Sequence, residues 1–136
     1  MKATPAEVEK YTLSLSETSQ RIAGIVEGIE EARLQFKADA KSWSANDILA
    51  HLRACADLWT HSIYAMLAER EPVFSDIDER KWTRVTRYAE LPFHSSFQVF
   101  LLHRENLLRV LKDQCRSLPG LQRQIFENAQ KIFSMQ

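Results

Sequence analysis

His51, Asp47 and Cys55 form the first cluster whose residue types and spacing can do chemistry. Each neighbour stands four residues from His51, the interval that brings side chains together on one helix face. So arranged, Asp47 can orient the imidazole and Cys55 can join it as a metal ligand. The same residues also fit a structural role, a histidine at a helix edge beside a small core thiol. Arg104 is the second feature. It falls among Phe97, Phe100, Leu101, Leu107 and Leu108 at helical spacing, where an unpaired guanidinium is costly to bury. It needs a carboxylate, backbone carbonyls or an anionic ligand, or it must snorkel past the neighbouring helix. His94 and His103, at the margins of the same segment, read as surface or loop-packing residues. His61 and Asp57 read as surface residues on a polar helix face. The chain has no phosphate-binding loop, GxSxG, HExxH or CxxC, so no motif assigns a reaction.

The elements that must position these side chains read as helices. Thr4-Pro5-Ala6-Glu7 combines an N-cap, a proline at the first helical position and a capping box. Apolar residues then recur at Val8, Tyr11, Leu15, Ile22, Ile25, Val26 and Ile29, which predicts a first helix from about 5 into the low thirties. Gly24 and Gly28 weaken it by about 1 kcal/mol each relative to Ala. Packing must compensate, or the backbone approaches a neighbour closely there. Ser44-Ala45-Asn46-Asp47 opens a second helix, with Ile48, Leu49, Leu52, Cys55, Ala56, Trp59, Ile63, Met66 and Leu67 inside an arc of about 120°. His51 lies about 105° from the centre of that arc.

From Pro72 to Pro92 the pattern is irregular and its mixed charge reads as solvated. A connection of this length is functional or holds a short helix of its own, near 77–88. A third helix runs from about 94 to 116 on Phe97, Phe100, Leu101, Leu107, Leu108, Leu111 and Cys115. Val99, Leu102 and Val110 widen its apolar face enough for two neighbours or a second subunit. After Pro119-Gly120, the residues Leu121, Ile125, Ala129, Ile132 and Phe133 predict a fourth, shorter helix that must dock to be stable.

Composition agrees with one all-α domain over 1–136. The 136 residues hold 3 Gly and 4 Pro, too few turn formers for an all-β domain, and 45% of them are hydrophobic. The 18 Lys and Arg balance 18 Asp and Glu, so the basic footprint of a nucleic-acid binder is missing. No window approaches a membrane span, and the start MKATPAEVEK lacks the layout of a signal peptide. The expected address is cytoplasmic, with Cys55 and Cys115 as reduced thiols. The expected architecture is a four-helix bundle with a long crossover between the second and third helices.

The run Trp43-Ser44-Ala45-Asn46-Asp47-Ile48-Leu49-Ala50-His51-Leu52 resembles the start of the second helix in the DinB-like family of bacterial four-helix bundles, also called YfiT-like metal-dependent hydrolases. The long first helix with its polar gap is similar to that family as well. So is Phe100-x-x-x-Arg104-x-x-Leu107-Leu108-x-x-Leu111, and the resemblance spans roughly residues 5–116. It implies a divalent metal, nickel or zinc, held by three histidines, one on the second helix and two at i,i+4 on the last. His51 matches the first. The other two have no counterpart, because the chain contains no His after His103, and Gln124 and Asn128 offer only amides.

That departure leaves three readings open. In one, a divalent-metal-dependent hydrolase or thiol-dependent transferase keeps His51 as a ligand and recruits Cys55, His94, His103 or a second subunit. In another, the bundle has lost the metal and serves as a small-ligand-binding or dimerisation module, with a pocket between the second and third helices lined by His51, Cys55, Trp59 and Arg104. In the third, a truncated relative folds without chemistry. The wide apolar face of the third helix points to a homodimer.

Overall fold

A computed structural model describes residues 4–74, 76 and 78–117, with the side chains of Pro5, Val8 and residues 115–117 outside the description. The described residues are helical, with no strand among them. Helix α1, Pro5–Val26, starts as its sequence dictates: the Thr4 hydroxyl accepts from the Glu7 N–H at 3.2 Å and the Glu7 carboxylate accepts from the Thr4 N–H at 2.8 Å. It ends earlier than the apolar spacing predicts. Gly28 takes a left-handed φ of 72°, which glycine adopts without the Cβ penalty. The chain turns there and restarts as the single-turn α2, Glu31–Leu34. The apolar period runs on through Ile29 because that residue still packs against the core, from the turn and not from the helix. A close approach at Gly24 is also not found: a Cβ there would meet nothing within 4 Å.

Helix α3, Ala45–Ala68, carries the second expected capping box, and Lys37 pairs with the capping Asp47 at 2.9 Å. Burial pushes the Asp47 carboxyl up, but the Lys37 ammonium and the Ser44 N–H outweigh it and hold the group below its usual range. The connection from 69 to 92 contains the short helix expected there, α4, Glu79–Thr86, capped by Asp78. A 3-10 turn over Tyr88–Glu90 follows. Helix α5, Phe93–Ser117, matches the predicted third helix. Its first free N–H groups are met from a distance in sequence: the Glu31 carboxylate accepts from Phe93 N and His94 N, both at 2.8 Å. The expected fourth helix, 121–133, lies outside the described residues.

Helix α5 packs against α1, α2 and α3, while α3 also carries α4 and the 3-10 turn. The main core joins Val26, Leu34, Leu49, Phe93, Phe97 and Phe100. The three phenylalanines lie 5.8 and 6.1 Å apart along α5, each contributing about 2 to 3 kcal/mol by burial. Leu107 and Leu111 form a second cluster with Ile63, Tyr64, Met66 and Leu67. Val99 and Leu102, which widen the apolar face of α5, stand 51% and 67% exposed. No helix among the described residues is long and apolar enough to cross a membrane.

Candidate functional site

Polar groups gather on two sides of α5. On the α3 side, Asn46, Arg53 and Asp57 form a stripe that the irregular segment covers. Asn46 Nδ2 donates to Ala89 O at 2.9 Å and to Leu91 O at 2.8 Å. The Arg53 guanidinium lies 3.8 Å over the Tyr88 ring and donates to Ser96 Oγ at 3.1 Å. Asp57 Oδ2 accepts from Tyr88 Oη and, at 3.4 Å, from Trp82 Nε1. Burial, and then the Asp57 carboxylate, push the Tyr88 hydroxyl above its usual range. Asp57 is therefore half-buried and bonded where a free surface residue was expected: its polar face is where Trp82 and Tyr88 dock. Beside this clasp lies an open groove of about 340 Å³, lined by Arg53, Asp57, Phe100, Leu102, His103 and Asn106.

On the α1 side of α5 a larger open groove, about 670 Å³, runs past Ser16, Ser19, Leu101, Leu102, Arg104 and Leu108. The Arg104 guanidinium donates to Leu15 O at 3.2 Å and lies 5.1 Å from the Phe100 ring centre. No carboxylate among the described residues forms an ion pair with it. Burial alone pulls its pKa below the usual guanidinium value. Ser19, 7% exposed, holds its Oγ without a hydrogen-bond partner.

The structure brings two of the expected residues together. Cys55 Sγ lies 3.6 Å from His51 Nε2, and the Trp43 ring packs edge-on against His51 at 5.6 Å. Burial, and then the Glu79 carboxylate, push the Cys55 thiol up, which keeps it protonated at neutral pH. Trp59 is half-buried on α3, about two turns after His51. Arg104 is directed elsewhere. Successive helical residues point about 100° apart, so His103 lines the α3 groove while Arg104 lines the α1 groove, and the α3–α5 groove is not walled by Arg104. His94 has the loop-packing role expected of it, its Nε2 donating to Ile29 O at 2.9 Å. His61 is exposed, as expected. Among the described residues no group of three or more His, Cys, Asp or Glu side chains is placed to hold a metal ion.

Asn46, Arg53 and Tyr88 are the residues that sequence reasoning missed. Their signal was the polar spacing 46, 53, 57 along one side of α3, next to an aromatic-bearing loop. No family model, no curated protein and no solved structure matches the chain.

Proposed function

We propose that this chain is a DinB-like four-helix-bundle protein working as a small-ligand-binding module, with the ligand seated at Arg104 in the groove between α1 and α5. The Trp43-to-Leu52 run and the Phe100 to Leu111 pattern support the family reading, and the apolar spacing of 121–133 predicts the fourth helix it requires. One observation carries the binding reading: a half-buried guanidinium in an open groove, satisfied among the described residues only by a backbone carbonyl and a ring face. Small-molecule sites take this form, a mostly apolar cleft of roughly 300–1,000 Å³ with a few placed polar groups.

The alternative, a divalent-metal-dependent hydrolase or thiol-dependent transferase, draws on the His51 and Cys55 pair. The donor set does not fit a resident nickel or zinc. Among the described residues, these two side chains fall short of the three protein ligands such sites use.

Native mass spectrometry of the full chain after gentle purification, with a thermal-shift panel of small organic compounds, tests the binding reading. A bound molecule or a stabilising compound is expected in wild type and lost in Arg104→Leu; bare mass and a flat panel would sink it. The same preparation exposed to nickel and zinc and then desalted is expected to carry no stoichiometric metal. One metal per chain, lost in His51→Ala, would return the function to the metalloenzyme reading.

A further inference from the structure

We propose that the α1–α5 groove takes an amphipathic monocarboxylate, a carboxylate head with a short acyl tail. This deepens the ligand-binding reading and rests on it.

The head group follows from which hydrogen-bonding groups meet in the groove. Leu15, whose carbonyl accepts from Arg104, lies four residues before Ser19. In a helix that is one turn, and it is the carbonyl a serine at this position ordinarily reaches with its own hydroxyl. Ser19 makes no such bond and its Oγ is buried, so the groove's accessible donor is the Arg104 guanidinium, which among the described residues gives one N–H to Leu15 O and keeps the others for a ligand. A carboxylate brings two oxygens with lone pairs for several such bonds, and it matches the planar guanidinium fork.

Charge decides between a monoanion and a dianion. Among the described residues Arg104 is the one cationic side chain lining this groove, and Glu105 lines it too. A phosphate with nearly two negative charges would meet one guanidinium and one carboxylate, whereas a monocarboxylate balances Arg104 alone. The tail follows from the remaining wall. Leu101 and Leu108 lie one turn to either side of Arg104 on α5, and Val99 and Leu102 leave apolar surface exposed beside it. An acyl chain laid along them removes that surface from water, while the head stays at the guanidinium.

Isothermal titration of the full-length protein with sodium octanoate, and in parallel with 1-octanol, tests this. Octanoate should bind wild type. Arg104→Gln should weaken it by about tenfold or more, as loss of a charged hydrogen-bonded pair predicts, and Arg104→Lys should recover part of that loss. Leu102→Glu, at a 67% exposed position that leaves the core intact, should weaken octanoate as well, by crowding the tail and repelling the head. Circular dichroism checks that each variant is folded. If octanol binds as tightly as octanoate and Arg104→Gln changes neither, the carboxylate assignment is overturned while the groove remains a ligand site. If neither compound binds, both this assignment and the binding reading lose their support at this groove. A wild-type dimer by light scattering that Leu102→Glu makes monomeric, with no octanoate binding, would overturn the assignment in favour of a second copy as the occupant.

Discussion

Arg53 and Arg104 both rise from the apolar surroundings of the three long helices, one facing α5 and the other borne on it. On the α3 side, Arg53 is flat on the Tyr88 ring and bonded to Ser96, Asp57 takes the Tyr88 and Trp82 donors, and Asn46 holds two carbonyls of the covering segment. On the α1 side, Arg104 reaches a single carbonyl already used by its own helix, and Ser19 Oγ has no partner. The α3-side network joins α3 to a segment 43 and 45 residues away, although Asn46 Oδ1 within it has no partner among the described residues, and such a bridge holds two pieces of chain in register. On the α1 side the guanidinium of Arg104 faces an open groove with one hydrogen bond among the described residues. The proposed division puts structure on one side of α5 and binding on the other, and each of the following substitutions tests it.

The largest effect is expected at Asn46. Asn46→Ala removes both donors to Ala89 O and Leu91 O, bonds made by the side chain of a residue that is 2% exposed. The expected loss is about 3 kcal/mol, read from the urea midpoint, with faster hydrogen exchange across 88–91. A loss under about 1 kcal/mol would show that the covering segment is held by something other than this clasp.

Next comes the direct comparison of the two arginines. Arg53→Leu should destabilise by about 2 kcal/mol, since the Tyr88 face and the Ser96 hydroxyl both lose their partner. Arg104→Leu should shift stability by less than about 1 kcal/mol in either direction, because exchanging a half-buried charge for an apolar side chain removes its desolvation penalty along with its contacts. Leu15 O keeps its helical bond in that variant. Equal losses for the two, measured in the same denaturant series, would erase the difference between the two sides and with it the reason to place a ligand at Arg104.

The same contrast explains what the amino-acid sequence made legible. Both capping boxes, the extents of α3 and α5, the short helix within 72–92 and the anomaly of Arg104 were readable, because each depends on residues within a few positions of one another. The α3 clasp was not, since Asn46 meets Leu91 across 45 residues and its partner segment has no period to follow. Asp57 was read as a free surface residue for that reason. The early end of α1 was hidden differently: Gly28 breaks the helix, yet Ile29 keeps the apolar spacing by packing from the turn. His51 and Cys55 met as their spacing required, whereas the partner of Arg104 had to come from another helix.

The smallest effect is expected where the two sides share a support. Glu31 holds the N-terminus of α5, and with it both grooves, through Phe93 N and His94 N. The His94 N–H bond, with that of Phe93, holds its carboxyl below the ordinary value of 4.5, against a smaller opposing push from desolvation. A carboxyl whose folded pKa is depressed contributes stability that is fully present above its unfolded pKa and is lost as pH falls through the folded one. Wild type should therefore lose stability on acidification below 4.5 more steeply than Glu31→Gln, which lacks the titrating group and starts slightly less stable at neutral pH. Glu7, Asp39, Asp47 and Glu90 are depressed too, so only the difference between the two proteins isolates Glu31. Because the cap precedes the point where the two sides diverge, the substitution should alter the Arg53 and Arg104 substitution effects equally. If it changes one alone, Glu31 supports that side of α5 and not the helix as a whole.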